Sequence, residues 1–222
     1  MATAFFDVDG TIVRGATGLL AVDILRRAGY ITYWHSVQAL AYHVLHKAGV
    51  MHADEAYKKA IAPFVGRRES EVAKDLERVY RLRVRPAIYD RAVSLAEAHH
   101  RRGDRIVLLS ASSAMLLEHF RDALPVTDVV AFNQDAPDGV LADTYEKPVP
   151  YGDNKLYLAR RYLEQHGEAF VDATFYTDSI TDLALLERVG VPRPVNPDLR
   201  LTRVAERSGW PILRFYRVIG PQ

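Results

Sequence analysis

The sequence predicts an α/β protein whose parallel sheet is interrupted, directly after the first strand, by an all-helical insertion. After Pro86, short apolar runs alternate with segments of helical periodicity, which is typical of a parallel sheet covered by helices on both faces. Residues 17 to about 84, in contrast, have helical periodicity almost throughout. We therefore predict an α/β core formed by residues 1–13 and 86–222 and a helical cap formed by residues 14–85.

The first part of the chain contains one predicted strand and several helices. Ala4-Phe5-Phe6 lies within a predicted buried strand at residues 3–8. Apolar residues recur at helical spacing from Leu19 to Leu25, before Gly29, which is a plausible helix end. The same spacing predicts further helices from Tyr33 to Leu45 and from Val72 to Tyr80.

The second part of the chain alternates between the two kinds of element. Asp138-Gly139 indicates a hairpin-like turn. The predicted strands are residues 106–109, 129–132, 173–177 and 191–195, and the predicted helices are residues 88–102, 114–124, 155–165 and 180–189. In parallel sheets of this kind, active sites lie at the carboxyl ends of the strands.

The composition is that of an ordinary globular protein and excludes several kinds of site. The chain has 222 residues, 49% hydrophobic and 26% charged, and a formal net charge of +1, which gives no support to a nucleic-acid partner. Because there are no cysteines, disulfides, thiolate zinc sites and cysteine nucleophiles are excluded. The absence of cysteine and of a visible signal peptide favours a cytoplasmic location. The stretch from Tyr30 to Met51 contains too many polar residues for a membrane span.

Two carboxylates follow the first strand in Asp7-Val8-Asp9-Gly10-Thr11. Because alternate strand residues share a side, Asp7 and Asp9 are expected to lie close together, and a divalent cation is the simplest relief of their repulsion. Carboxylates suit Mg²⁺, and one of them could attack a substrate while the other moves protons. The alternative interpretation is a polar turn, because Asp-Gly is a common turn dipeptide.

Other polar residues stand where further strands end. Ser110, followed by Ala111, could bind an anion, although serine is also a routine helix N-cap. Lys155 could neutralise phosphate charge, although most lysines are solvated. Asp178 and Asp182 could contact a metal or a helix dipole, with N-capping as the alternative.

In combination and in this order, these motifs resemble the haloacid dehalogenase (HAD) superfamily of phosphohydrolases. Asp7 to Thr11 match its first motif, Ser110 its second, Lys155 its third, and Asp178 with Asp182 its fourth. The helical insertion resembles the C1-type cap of the phosphoserine-phosphatase-like branch, subfamily IB. The segments 195–198 and 208–211 are similar to that branch's tail. The resemblance implies a Rossmann-like core of the HAD fold.

The resemblance also implies roles for these residues in an Mg²⁺-dependent phosphatase. Asp7 would be the nucleophile and Asp9 the acid and base, and Mg²⁺ would bind Asp7, the Asp9 backbone carbonyl and Asp178. The residues implied to bind or orient the phosphoryl group are Gly10, Thr11, Ser110, Ala111 and Lys155, supported by Ser179 and Asp182. The presence of Asp9 disfavours dehalogenation, because a leaving alkoxide needs a proton and a halide does not.

The expected substrate is a small phosphorylated molecule. Val13 to Thr17 carry no carboxylate where phosphoserine phosphatases of this branch use a glutamate to read the substrate amine, so phosphoserine is not predicted. Arg14 is the candidate substrate-facing residue. The aromatic and histidine residues of the insertion could line a specificity pocket, but we favour packing within the cap. These residues are Tyr30, Tyr33, Trp34, His35, Tyr42, His43, His46, His52 and Tyr57.

Two other functions and two assembly states are compatible with the sequence. A phosphotransferase would pass the same aspartyl-phosphate to an acceptor other than water. A non-catalytic binding protein could keep the fold. The chain is predicted to be a monomer or a homodimer.

Overall fold

The computed structural model describes residues 1–32 and 53–220, with side chains omitted for residues 53–56. Its sheet contains five strands in the order β3-β2-β1-β4-β5, and all neighbouring strands are parallel. The strands are β1 (Thr3–Phe6), β2 (Arg105–Ser113), β3 (Asp128–Phe132), β4 (Thr174–Thr177) and β5 (Val191–Pro194). This arrangement confirms the predicted α/β fold class.

Eight α-helices are described in the two ranges. They are α1 (Thr17–Arg27), α2 (Ala53–Ile61), α3 (Glu69–Val79), α4 (Asp90–Arg101), α5 (Ala114–Leu117), α6 (Asp153–Gln165), α7 (Leu183–Leu186) and α8 (Leu199–Ser208). Short 3₁₀ segments occupy residues 62–64, 85–87, 118–122, 137–139 and 180–182, and a π-helical segment continues α3 over residues 80–84. In the described ranges, no helix is both long enough and apolar enough to cross a bilayer.

β1 is the central strand, and both of its faces are buried. Phe6 is paired in register with Leu108 of β2 and with Tyr176 of β4. Phe6 belongs to a large apolar core on one face, whereas Phe5 belongs to a second core on the other face. Since consecutive side chains of a strand point to opposite faces, an uninterrupted apolar run is what a strand between two helical layers requires.

The chain leaves β1 for the helical insertion and returns to the core at almost the same place. Val13 and Ile88 form an antiparallel bridge. On either side of it, the N–H of Arg14 donates to Ala87 O (2.9 Å) and the N–H of Tyr89 donates to Ile12 O (2.8 Å). The outgoing and returning segments therefore lie side by side next to the carboxyl end of β1. The predicted division into core and cap remains a prediction.

Several predicted elements have different bounds in the structure. β2 continues through Ser113, with a register irregularity after Ser110. The sequence does not indicate this extension, because hydroxyl side chains add no apolar signal although the backbone still pairs with β3. The helices predicted for residues 114–124 and 180–189 each combine a short α-helix with a 3₁₀ segment. Asp138-Gly139 lies in a 3₁₀ turn between two segments that pair antiparallel at Gln134 and Tyr145, so the predicted hairpin-like turn is confirmed.

Candidate active site

The loop after β1 brings Asp7, Asp9 and Gly10 to the carboxyl end of the sheet. The N–H of Asp7 continues the β1–β4 ladder by donating to Tyr176 O at 2.9 Å. Gly10 has a φ of +77°, and its N–H donates to the carbonyls of Val13 and Gly15. A Cβ at Gly10 would lie 2.2 Å from Asp178 Oδ2. Glycine therefore allows both the turn and the close approach of Asp178.

Lys155 connects two of the acidic residues. Its Nζ lies 2.9 Å from Asp7 Oδ1 and 2.8 Å from Asp182 Oδ2. The lysine is in the first turn of α6 and only 4% exposed, so its charge is stabilised by these two carboxylates and little by water. The third sequence motif is thus joined to the first and to the fourth by direct ion pairs.

The charged groups of this cluster shift one another's pKa values. Burial raises the pKa of Asp7 to about 7, an effect that Lys155 opposes and that the Asp182 and Asp178 carboxylates reinforce. Burial alone would lower the pKa of Lys155, but Asp182 and Asp7 outweigh it and raise this pKa above its usual value. The site therefore keeps its lysine charged and contains an excess of negative charge.

Asp182 also has a neutral hydrogen-bond donor. Thr177 Oγ1 donates to Asp182 Oδ2 at 2.6 Å, and Thr177 Oγ1 in turn accepts from the N–H of Ser179 at 3.2 Å. The side chains of Thr177 and Asp182 are buried, and Asp182 Oδ1 has no hydrogen-bond partner among the described residues. Thr177, at the start of the fourth motif, therefore contributes to holding Asp182 against Lys155.

Two hydroxyl residues that the sequence did not single out connect the motifs to α1, the first helix after β1. The N–H of Thr17, at the start of α1, donates to Asp9 Oδ1 at 2.8 Å. Its hydroxyl lies 2.8 Å from that of Ser112. The N–H of Ser112 donates to Oγ of Ser110, which is buried. Thr17 thus joins the first and second motifs, and no local sequence signal indicates this contact.

Asp198 braces the loop that carries Asp178. Its N–H donates to Asp178 O at 2.9 Å, and its Oδ2 accepts from the N–H of Ile180 at 2.9 Å. Its Oδ1 caps α8 by accepting from the N–H groups of Arg200 and Leu201. The sequence signal for this residue was its place in the tail segment 195–198.

Most of the predicted site residues line a single cavity of about 630 Å³. Those that line it are Asp7, Asp9, Gly10, Ser110, Ala111, Lys155, Asp178, Ser179 and Asp182. Thr11 is buried outside the lining, and its hydroxyl has no hydrogen-bond partner among the described residues, although its N–H donates to Val8 O at 3.3 Å. Arg14 is exposed and does not line the cavity, because the turn at Gly15 (φ +100°) and the pairing of Arg14 with Ala87 place it elsewhere.

Two of the aromatic residues of the insertion lie within the described ranges. Tyr57 of α2 lines the cavity and stacks on Phe132 of β3 with ring centroids 5.3 Å apart. Its pKa is raised, mainly by burial and also by the nearby Asp9 and Asp7 carboxylates, with Lys155 opposing. Tyr30 packs on Phe64 and donates to Asp75. Tyr33, Trp34, His35, Tyr42, His43, His46 and His52 lie outside the described residues.

Two arginines of the insertion, just before α3, do not take part in the acidic cluster with Lys155. Arg67 lies over the ring of Tyr30, 5.5 Å from its centroid, and Arg68 is exposed. Neither lines the cavity.

The donor set at the carboxyl end fits a hard divalent cation. Asp7 and Asp178 are close enough that the Asp178 charge raises the pKa of Asp7, and a cation would relieve that repulsion. Within residues 1–32 and 53–220, no three acidic or histidine side chains form a ready metal site. Mg²⁺ usually binds one or two carboxylates and completes its shell with water and substrate phosphate, so two aspartates and a backbone carbonyl are sufficient.

Comparisons with known proteins show which family the chain belongs to. The chain is 30% identical over 221 residues to the "Inhibition of morphological differentiation protein" of Streptomyces azureus, covering 97% of this chain and 79% of that one. It is 27% identical over 218 residues to "Phosphoserine phosphatase SerB1" of Mycobacterium tuberculosis, covering 96% and 71% of the two chains.

A solved structure and a family profile extend the comparison. A protein of unknown function from Bordetella pertussis Tohama I superposes with a TM-score of 0.86 and 24% identity, covering 96% of this chain and 97% of that one. The profile of the haloacid dehalogenase-like hydrolases matches residues 4–187. The protein therefore belongs to the haloacid dehalogenase-like hydrolase family, as its motifs predicted.

Proposed function

We propose that this protein is an Mg²⁺-dependent phosphatase that hydrolyses a small phosphate monoester through an aspartyl-phosphate formed on Asp7. The observation that carries the proposal is the ion-paired group Asp7–Lys155–Asp182, which lies beside Asp178 at the carboxyl end of the sheet. The family match and the phosphatase name of a relative support the reaction class.

In the first step, a carboxylate oxygen of Asp7 attacks phosphorus. The new Asp7–phosphorus bond forms as the ester bond to the leaving oxygen breaks, and Asp9 donates a proton to that oxygen. Lys155 and Ser110 bind phosphoryl oxygens, a role that their burial in the cavity wall supports. Since phosphoryl transfer depends mainly on positioning and charge stabilisation, these fixed groups supply most of the catalysis.

In the second step, Asp9 takes a proton from water as the water oxygen attacks phosphorus. The Asp7–phosphorus bond breaks, and inorganic phosphate and the free Asp7 carboxylate are released. The hydrogen bond from Thr17 fixes the orientation of Asp9 for both proton transfers. The same residue thus acts first as acid and then as base.

Asp7, the backbone carbonyl of Asp9 and Asp178 would hold Mg²⁺. When bound, the cation neutralises negative charge on the phosphoryl group and on the two aspartates. Lys155 then has the separate task of balancing the buried charge of Asp182 while contacting Asp7.

The proposal is tested by phosphate release from a panel of phosphorylated metabolites and p-nitrophenyl phosphate, with Mg²⁺ and with EDTA. We expect Mg²⁺-dependent release that Asp7→Asn abolishes while circular dichroism shows an intact fold. Asp143→Asn, at an exposed position, is the matched control and should keep wild-type activity. Undiminished turnover by Asp7→Asn would rule out Asp7 as the nucleophile. Undiminished turnover in EDTA would rule out the dependence on Mg²⁺.

A further inference from the structure

The cavity above the sheet has two chemically different ends. One end is formed by the acidic cluster and Lys155. The rest of the lining comes largely from the insertion and from the segment after β2, and it is mainly apolar. Six aliphatic or thioether side chains, which we call the aliphatic end or aliphatic wall of the cavity, are Leu19, Val22 and Leu25 of α1 with Ile61, Leu76 and Met115. A volume of about 630 Å³ is large for a phosphoryl group and a three-carbon amino acid.

Charged side chains are scarce in the aliphatic end. Among the side chains that the structure describes, Lys59 is the one charged residue of the lining outside the catalytic cluster. The ammonium group of an amino-acid phosphate would find no described carboxylate there, and burying it unpaired is costly.

The aliphatic wall is continuous with the catalytic end, so a group placed against it can be part of the substrate. The N-terminal residues of α1 make this continuity direct, because Thr17 contacts Asp9 while Leu19 and Val22 of the same helix line the far wall. The space next to the reacting phosphoryl group is therefore the space that the leaving alcohol occupies.

We propose that the preferred substrate is the phosphate monoester of an aliphatic alcohol, whose hydrocarbon chain lies against α1, α2 and α3. This inference rests on the proposed phosphatase function and adds the chemical class of the leaving group. Burial of each methylene against the aliphatic wall is favourable, and the absence of a described counter-charge disfavours amino-acid phosphates.

The test is a homologous series of n-alkyl phosphates from methyl to decyl, assayed below their micelle-forming concentrations beside O-phosphoserine and glycerol 3-phosphate. We expect kcat/KM to rise by up to about fourfold per added methylene until the cavity is full. O-phosphoserine and glycerol 3-phosphate should react no better than methyl phosphate. A 1-acylglycerol 3-phosphate and farnesyl phosphate, added as further arms, distinguish a linear acyl chain from a branched isoprenoid one.

A cavity-filling variant locates the hydrocarbon chain. Val22 is half-buried on α1 and lines the aliphatic end, so Val22→Phe should shorten the space available. We expect the ratio of kcat/KM for octyl phosphate to that for methyl phosphate to fall at least tenfold. Val171→Phe, the same substitution at a residue that is 71% exposed and outside the cavity, should leave the ratio unchanged.

The outcomes separate this inference from the function on which it rests. Hydrolysis of none of the esters would overturn both. Hydrolysis without a chain-length dependence, or with O-phosphoserine preferred, would overturn the aliphatic substrate and leave the phosphatase intact. An unchanged ratio in Val22→Phe, with a raised melting temperature, would show that the space is a packing void and would also overturn it.

Discussion

The carboxylate of Asp9 accepts a 2.8 Å hydrogen bond from the backbone N–H of Thr17, the first residue of α1. The proposed acid and base of the reaction is therefore oriented by the first turn of the helical insertion. Since α1 also lines the far wall of the cavity, a substrate that contacts this helix contacts the element that positions Asp9.

Thr17→Pro should lower kcat/KM by roughly 10- to 100-fold, because it removes one charge-assisted hydrogen bond to Asp9. Proline is accepted at the first position of a helix, and Ala16 before it is already extended (φ −104°, ψ 127°), so α1 should form. Steady-state kinetics on the best substrate measure the effect. Thr17→Ala is the control, because it removes the hydroxyl contact with Ser112 but keeps the N–H. Equal losses in both variants would contradict the prediction.

Gly10→Ala should abolish activity and destabilise the protein by about 1–3 kcal/mol. The alanine would have to adopt a positive φ, and its Cβ would lie 2.2 Å from a carboxylate oxygen of Asp178, which would have to move. Gly29→Ala is a close control, because Gly29 has a φ of +80° and nothing lies within 4 Å of its added Cβ. Urea unfolding and phosphatase assays should show a similar backbone penalty in the control but full activity. Loss of activity in Gly29→Ala would mean that backbone strain alone accounts for the effect.

Asp198→Ala should reduce both stability and turnover. Loss of the N-cap of α8 costs about 1 kcal/mol, and loss of the acceptor for Ile180 loosens the loop of Asp178. Asp198→Asn keeps one oxygen for the cap, so it should recover most of the stability while its turnover stays low. Melting temperature and kcat report the two effects separately. Wild-type turnover in Asp198→Ala would show that the loop does not need this brace.

The buried His99 should make the protein less stable as the pH falls from 7 to 5. Burial lowers the pKa of His99 below its ordinary 6.5, while the hydrogen bond with Asp104 opposes this shift. Below about pH 6.5 the unfolded chain therefore binds a proton at this position that the folded chain does not bind, and the free energy of unfolding decreases.

His99→Gln removes this proton linkage, so between pH 7 and pH 5 its free energy of unfolding should shift in the stabilising direction relative to that of the wild type. The buried Asp7, whose pKa is raised to about 7, stabilises both proteins in the same way as the pH falls, so the comparison isolates His99. Urea titrations at several pH values measure the difference. His100→Gln, at the exposed neighbouring position of α4, should follow the wild type. A His99→Gln profile parallel to the wild-type profile would contradict the assignment.

The cluster of Asp7, Lys155, Asp178 and Asp182 at the carboxyl end of the sheet could be predicted from the sequence, because local signals mark its residues. β1 and β4 are buried on both faces, so each is an apolar run, and each is followed directly by an aspartate. Lys155 could be placed because it begins a clearly periodic helix. Each signal lies within a few residues of the side chain that it marks, so it can be recognised without knowledge of the fold.

Contacts between distant segments could not be predicted in this way. The link of Thr17 to Ser112 joins residues 95 positions apart, and that of Ile180 to Asp198 joins residues 18 positions apart. The closeness of Arg14 to the first motif suggests a contact with the substrate, but the positive φ of Gly15 and the backbone hydrogen bond from Arg14 to Ala87 place it outside the cavity. The aliphatic wall was missed for the same reason, since its residues come from separate helices whose apolar faces read equally well as ordinary core.

The paired segments at Val13 and Ile88 have a consequence for how such a protein can diversify. The segments that enter and leave the insertion pair with each other, so the two ends of the insertion are held close together whatever helices lie between them. A different set of helices could be spliced between these two positions without altering the strand pairing that aligns Asp7 with Asp178. We expect chimaeras joined there to inherit their reaction from one parent and their choice of alcohol from the other.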